Sequence, residues 1–130
     1  MTESFDPYDD MPVHDEYLSE DVFSDFLAHM PQVCVELILE TADGILLAKR
    51  DIDPPVWFWP GSRLYKGERL EDAAHRVGRE ELGIDIQIQD RYGPYAHFWE
   101  NSPVHDSPSR HTVNIVFHST PATQDYEIEL

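Results

Sequence analysis

The pattern of apolar and polar positions predicts two helices. The first begins at Ser19, a capping residue followed by two acids, and ends before Pro31, with its apolar residues on one stripe. The second covers Leu70–Leu82, where apolar residues recur at helical spacing and Gly83 follows as the C-terminal cap. One helix near the N-terminus and one in the middle of the chain leave the other patterned segments to form strands.

Alternating apolar residues and enrichment in β-branched residues indicate the strands. The predicted strands cover residues 33–40, 45–49, 56–59, 84–88, 95–99 and 111–117. Ala42-Asp43-Gly44, between the first two, is typical of a hairpin turn. Strands before and after a central helix, with a second helix preceding them, predict an α/β layered domain.

The chain of 130 residues fits a single domain. Residues 1–16 mix acids, proline and tyrosine without periodicity, so we expect a flexible acidic arm followed by one domain over residues 17–130. Two polar, proline-containing segments, 51–55 and 101–110, are expected to be loops.

The charge balance narrows the range of partners. The chain has 26 acidic residues against 9 lysines and arginines, a formal net charge of −17. Such a surface repels nucleic acid and anionic membranes, so neither is expected as a partner. Only Lys49 and Lys66 are lysines, and scarce lysine with excess acid is typical of proteins from salt-accumulating cells, where molar salt shortens the Debye length to about 3 Å. We therefore expect a halophilic protein, with an acidic protein of ordinary salinity as the alternative.

Neither a membrane span nor a secretory signal is evident in the sequence. No segment reaches the ~18 consecutive apolar residues of a span, and the acidic N-terminus lacks the apolar core of a signal peptide. These features predict a cytoplasmic location. The one cysteine, Cys34, lies in an apolar run and is expected to be a small buried side chain, which excludes an internal disulfide framework and a cysteine-based metal site.

The segment that carries chemistry runs from Pro60 to Ile84. It resembles the Nudix box, G-x5-E-x7-R-E-U-x-E-E-x-G-U, in which U is aliphatic. The residues in register are Glu68, Arg76, Glu80, Glu81, Gly83 and Ile84. The resemblance implies a Nudix-like α/β/α sandwich with a mixed sheet, and a hydrolase that cleaves a nucleotide diphosphate compound with Mg²⁺, with Mn²⁺ as the alternative ion.

A loop that leads into a helix can surround one cation with backbone carbonyls and carboxylates, the hard oxygen ligands that Mg²⁺ prefers. The predicted metal ligands are Gly61, through its carbonyl, Glu80 and Glu81; the alternative is that the two glutamates are merely solvated. Arg76, four residues before Glu80, is expected to orient that carboxylate. Val77 stands where the box has glutamate, so we expect one cation instead of two or three.

Two further departures from the box concern small residues. Ser62 replaces the opening glycine and is expected to stiffen or reshape the loop. Gly78 replaces an aliphatic residue and is expected to weaken the helix by about 1 kcal/mol relative to alanine.

An altered box of this kind resembles that of the GDP-mannose mannosyl hydrolases, a Nudix branch that releases GDP by attack at the anomeric carbon of the sugar. The resemblance covers about residues 22–118. It implies that Arg50 and Arg63 contact the diphosphate, and that the catalytic groups are Arg50, Arg63 and Glu81. It also implies a substrate pocket lined by Arg50, Arg63, Glu36, His97 and His111. For the arginines the alternative is surface ion pairing, and for the histidines it is packing within a strand.

In that branch a glutamine-histidine pair after the strand matching 111–117 supplies a metal ligand and the general base, and no such pair follows Phe117. A final strand and helix are not evident either, so we expect a C-terminally short domain whose exposed sheet surface favours a homodimer. His105 and Asp106 are the alternative base. Three functions therefore stay open: a GDP-sugar glycosyl hydrolase, a pyrophosphohydrolase of another nucleotide compound, and a non-catalytic nucleotide-binding module.

Overall fold

The structure is a computed structural model that describes residues 11–49, 57–99 and 109–128. The predicted loop 51–55, most of the predicted loop 101–110 and the first ten residues of the predicted arm lie outside these ranges. The elements in chain order are α1 (Glu20–His29), β1 (Gln32–Thr41), β2 (Gly44–Leu46), β3 (Ala48–Lys49), β4 (Trp57–Phe58), β5 (Gly61–Arg63), α2 (Leu70–Val77), a π-helical turn (Gly78–Leu82), β6 (Ile86–Trp99) and β7 (Arg110–Pro121).

The first helix forms as its sequence signals predict. The hydroxyl of Ser19 accepts the N–H of Val22 at 3.3 Å, which satisfies one of the amide groups that a helix leaves unpaired at its start. Helix α1 ends where Met30 turns extended before Pro31, and it contacts β7 while burying Leu27. In the described ranges neither helix has the length and apolarity needed to cross a bilayer.

The strands build a five-stranded mixed sheet, which confirms the predicted fold class. Its order is β2–β1–β7–β6, with β5 also pairing β1, while β3 and β4 form a separate two-stranded sheet. Strands β1 and β7 are parallel, and the other pairs are antiparallel. The sheet is mixed because β7 lies between β1 and β6, parallel to β1 and antiparallel to β6.

Two strand expectations were wrong. Residues 45–49 do not form one strand, because β2 and β3 belong to different sheets. Residues 86–88 and 95–99 do not form two strands; they belong to the single strand β6, which begins after Asp85 and keeps its pairing with β7 through two irregularities of register. Gly93 lies at one of them with φ of 106°, and a Cβ there would stand 2.7 Å from the backbone oxygen of Asn114. A glycine therefore lets β6 bend without losing its neighbour.

The core lies between one face of the sheet and α2. Side chains alternate along a strand, so Val35, Leu37 and Leu39 of β1 share the buried face with Phe117 of β7. Helix α2 supplies Ala73, Ala74 and Val77 to the same cluster. The opposite face of the sheet carries the intervening residues, and many of these are polar.

The predicted helix 70–82 is regular only to Val77 and continues as a π-helical turn to Leu82. Gly83 ends it with φ of 69°, as expected of a C-terminal cap. Gly78 is buried, and a Cβ there would stand 3.0 Å from Cγ2 of Ile86. The expectation that Gly78 merely weakens the helix was therefore incomplete, because its lack of a side chain lets the helix approach β6.

The end of the predicted arm contacts residues 60–69, the part of the box segment that leads into α2, which we call the box loop. The sequence did not indicate this contact. The N–H of His14 donates to the carbonyl of Lys66 at 2.9 Å. Gly67 has φ of 88°, and a Cβ there would stand 2.3 Å from the oxygen of Pro12. Part of residues 11–16 therefore lies against the loop, and the arm boundary at residue 16 stays a prediction.

Candidate active site

Arg76 connects the box loop to α2 through a network of hydrogen bonds. Its guanidinium donates to both carboxylate oxygens of Glu68, with Nε–Oε2 at 2.7 Å and Nη2–Oε1 at 3.0 Å. It also donates to the carbonyl oxygen of Arg63 at 2.9 Å and to the hydroxyl of Ser62 at 3.2 Å. Charge-assisted, two-pronged contacts of this kind are the strongest protein hydrogen bonds. The network, which we call the clamp, fixes the loop relative to the helix.

The clamp corrects two expectations from the sequence. Arg76 was expected to orient Glu80, and it does contact that carboxylate at 3.3 Å, but Glu80 is 59% exposed. Its main partner is Glu68, whose side chain is only 5% exposed. Burial alone would lower the pKa of Arg76, yet the hydrogen bonds and charge of Glu68 outweigh burial and raise it. Ser62, expected to reshape the loop, supplies a hydroxyl that the clamp uses.

The pairing of β5 with β1 decides where the carbonyl of Gly61 points. Leu37 N–H donates to Pro60 O and Leu64 N–H donates to Val33 O, each at 2.8 Å. In an antiparallel ladder this places Gly61 and Arg63 at positions whose own peptide groups point away from β1. Along a strand, the carbonyls of residues two apart point the same way, and the carbonyl oxygen of Arg63 accepts a hydrogen bond from Arg76. The carbonyl of Gly61 is therefore directed to the side of the clamp.

The donors at this end fit a hydrated Mg²⁺. Glu80 and Glu81 are exposed on the π-helical turn, beside the clamp that holds the Gly61 loop. Within the described ranges no group of three or more histidine, cysteine or acidic side chains is placed to hold a metal. Mg²⁺ keeps several waters and phosphate oxygens and needs few protein ligands, so two carboxylates and one carbonyl suit it.

Val77 does not lie on the ligand side of the helix. It is fully buried in the core, whereas Glu81, four residues later, is exposed. Although four residues apart on one helix, Val77 and Glu81 do not share a face, because Val77 packs toward the sheet. The π-helical turn consequently offers two exposed carboxylates, Glu80 and Glu81.

The sheet face opposite α2 carries a second polar group. Thr112 Oγ1 donates to Asn114 Oδ1 at 2.8 Å, and Asn114 Nδ2 donates to Glu36 Oε1. His97 pairs with Thr112 across β6 and β7, and so lies on the same face. Burial raises the pKa of Glu36, opposed by the hydrogen bond from Asn114 and by the charge of His97. Glu36 and His97 are therefore brought together as expected.

The arginines lie next to this polar group or outside the described ranges. Arg63 stands opposite Cys34 on β1, so its side chain is on the same face as Glu36, and it covers the ring of Tyr65 at 4.6 Å. Arg110 donates to Gln32 Oε1 at 2.7 Å. Burial raises the pKa of the Cys34 thiol, against the lowering effect of nearby Arg110. Arg50, the other predicted phosphate contact, lies outside the described residues.

The structure separates His111 from the other predicted pocket residues. His111 pairs with Phe98 and stacks on its ring, with centroids 4.6 Å apart. Because it neighbours Thr112 along β7, it points to the opposite face from His97. His111 is therefore not part of the Glu36 side of the sheet. The alternative base residues, His105 and Asp106, lie outside the described ranges.

The site residues predicted from the sequence include neither Asn114 nor Thr112. One signal was present: two polar residues alternate with Val113 and Ile115 in a strand that is otherwise apolar. Buried polar groups need hydrogen-bond partners, so such alternation indicates a polar contact on one face. The identity of the partner depends on the distant strand β1.

Comparison with known proteins decides the family. A family model describing the NUDIX domain matches residues 29–129. The chain belongs to the Nudix family. The match includes the clamp and every strand of the five-stranded sheet. Nudix hydrolases use divalent metal ions and act on nucleotide-derived small molecules.

Two curated relatives come from Haloferax volcanii and Methanocaldococcus jannaschii. The chain is 34% identical over 114 residues to the low-salt glycan biosynthesis protein Agl8 of Haloferax volcanii. The match covers 86% of this chain and 73% of that protein. It is 35% identical over 89 residues to the ADP-ribose pyrophosphatase of Methanocaldococcus jannaschii, covering 67% of this chain and 49% of the enzyme. The chain therefore spans about half the length of the second relative.

Solved structures share the Nudix fold. A NUDIX hydrolase from Nitrosomonas europaea superposes with a TM-score of 0.55 at 20% identity, covering 78% of this chain and 66% of its own. A UDP-X diphosphatase superposes with a TM-score of 0.57 at 16% identity, covering 88% of this chain and 55% of its own. At these identities the likeness concerns the fold alone.

Proposed function

We propose that this Nudix chain is a Mg²⁺-dependent hydrolase of a nucleoside diphosphate sugar, with GDP-mannose as the first candidate. Water would add at the anomeric carbon and lose one proton to solvent, the bond from that carbon to the diphosphate oxygen would break, and GDP would leave with the bonding electron pair. The observation that carries the proposal is the valine at position 77, buried in the core where the box has a glutamate. Without that glutamate, the exposed carboxylates of the π-helical turn are those of Glu80 and Glu81, which suits one cation beside a departing diphosphate.

The stretch Pro60–Ile84, which we call the box end, and the neighbouring face of the sheet each have a role in this proposal. Gly61, Glu80 and Glu81 would hold the ion, which when bound neutralises charge on the leaving diphosphate. Arg63 and Arg50 would bind the phosphates, because a guanidinium stays charged and presents paired donors. Across the same side of the sheet, Glu36 and His97 would contact the sugar or nucleoside.

The Haloferax relative supports a sugar-nucleotide substrate through its printed role in glycan biosynthesis. The same relative, together with the net charge of −17, supports our proposal of a halophilic protein of the cytoplasm. A homodimer is also proposed, and light scattering in molar KCl tests it directly.

A second candidate function is a pyrophosphohydrolase that cleaves between the two phosphorus atoms of another nucleotide compound. The identity of 35% to an ADP-ribose pyrophosphatase favours it. The two-carboxylate box opposes it, because ordinary members gather additional cations on the glutamate that Val77 replaces.

Product analysis in ¹⁸O-labelled water separates the candidates. With GDP-mannose and Mg²⁺ we expect GDP and mannose, with the label on the sugar. GMP and mannose 1-phosphate, with the label on phosphate, would establish the second candidate. Binding without turnover would indicate a nucleotide-binding module. Glu81→Gln should reduce turnover, whereas Glu127→Gln, at an exposed position of the tail, is the matched control.

A further inference from the structure

Asn114 lies between two partners whose chemistry permits one orientation of its amide. An ionised carboxylate only accepts hydrogen bonds, so the NH₂ group of Asn114 must face Glu36. The amide oxygen then faces Thr112, whose hydroxyl can donate to it. The chain Thr112–Asn114–Glu36, which we call the relay, therefore has a fixed direction from hydroxyl to carboxylate.

The relay is built into the middle of the sheet. Thr112 is 2% exposed and Asn114 is 4% exposed, so neither side chain can exchange its partner for bulk water at little cost. Both belong to β7, whereas Glu36 belongs to β1, 78 residues away. Hydrogen bonds in a chain polarise one another, so the Thr112 contact strengthens the donor that Asn114 presents.

Glu36 also adjoins the box end of the site. It pairs with Gly61, and a Cβ at Gly61 would stand 2.9 Å from Cγ of Glu36. A diphosphate placed at the Gly61 loop would bring its attached sugar or nucleoside toward this carboxylate. A carboxylate in that place repels phosphate, so its orientation toward hydrogen-bond donors matters for binding.

We propose that Asn114 and Thr112 are positioning residues that hold Glu36 in one rotamer, with Oε1 occupied and Oε2 presented to a hydrogen-bond donor of the substrate. The donor is a hydroxyl of the sugar or an N–H or hydroxyl of the nucleoside. The nature of the substrate rests on the proposed function, whereas the relay itself rests on the contacts among the three side chains.

The first experiment tests the relay without any substrate. In ¹H–¹⁵N spectra of the full chain, the side-chain amide of Asn114 should shift and exchange faster with water in Thr112→Val, and recover in Thr112→Ser. It should also shift in Glu36→Gln. An Asn114 amide signal that is the same in wild type and Thr112→Val would overturn the relay, whatever the activity of the protein.

The second experiment measures calorimetric binding of GDP and of GDP-mannose with Mg²⁺. Asn114→Ala and Glu36→Gln should each weaken binding roughly tenfold, and the double variant should be no weaker than Glu36→Gln alone. Thr112→Val should weaken binding in the same direction and Thr112→Ser should restore it. Ser119→Ala is the matched control, since Ser119 is a buried β7 residue that donates to Ile38 O on β1 away from Glu36.

The outcomes are separable. Losses that add in the double variant would overturn the positioning role. Losses seen with both ligands support a nucleoside donor, and losses seen only with GDP-mannose support a sugar hydroxyl. If wild type binds neither ligand, the proposed function fails, and the relay is then decided by the Asn114 signal alone.

Discussion

The box end of this site and the sheet face that carries the relay are built in different ways. The clamp comes from one continuous stretch, Pro60–Ile84, in which a loop and the following helix meet through Arg76. The relay comes from β1 and β7, and its outer bond joins residues 78 positions apart. A local device fixes its own geometry from sequence spacing, whereas a distant one depends on the register of two central strands.

The two regions also differ in the solvent exposure of their carboxylates. Glu68 is almost fully buried and tied to Arg76, while Glu80 and Glu81 are exposed nearby. Glu36 lies between these extremes, half-buried and held by one amide. The buried carboxylate is structural, and the exposed ones are available to a ligand.

The largest effect on stability is expected from Val77→Glu, a substitution that tests whether the helix 70–82 can accept a further carboxylate at this buried position. A charge forced into the core should cost on the order of 4–5 kcal/mol, enough to unfold much of the protein. Urea unfolding measures this. Arg79→Glu introduces the same residue at an exposed position of the same helix and should change stability by about 0.5 kcal/mol. A variant of Val77 that stays folded and binds a second Mn²⁺ would contradict the burial argument.

The next effect concerns the clamp. Arg76→Met leaves Glu68 buried without its partner and should lower the free energy of unfolding by about 3–5 kcal/mol. The matched control is Arg79→Met, because Arg79 is 59% exposed and its only ion pair in the described ranges, to Asp85, is long at 3.8 Å. If the two variants unfold at the same urea concentration, the clamp does not hold the loop.

A smaller effect separates phosphate binding from stability. Arg63→Gln should weaken GDP binding by about 1.5–3 kcal/mol, because it removes a charge-assisted contact while the clamp uses only the backbone oxygen of Arg63. Calorimetry with Arg79→Gln is the comparison. Equal losses from the two changes would contradict the assignment of Arg63 to the diphosphate.

The smallest effect is that of salt. With a net charge of −17, the melting temperature should rise from dilute buffer to molar KCl, as screening weakens repulsion among exposed acids, a gain of about 1 kcal/mol. The stability difference between wild type and Arg76→Met should stay nearly constant over that range, because buried pairs are screened less. A flat or falling melting temperature argues against the halophilic proposal.

The features that could be predicted from the sequence are those that depend on local contacts, and the ones that could not depend on contacts between distant segments. Helix α1 and the end of the second helix at Gly83 depend on neighbours within a few residues, and these predictions were confirmed. The predicted contact of Arg76 with Glu80 is present, but its two-pronged contact with Glu68 was missed, because that contact depends on the folded loop. The separation of His97 from His111 follows from strand register, which a sequence without a structure does not fix.

The parallel pairing of β1 with β7 has a consequence for the order of folding. Joining these strands closes most of the chain into one loop, so their contacts form late and slowly, while the loop-helix unit of the box can form from local contacts. During synthesis the box emerges and can fold before β7 exists. Ligand capture at Glu36 would therefore report that β7 has docked, and a ligand that binds there would stabilise the folded chain against intermediates that lack this pairing.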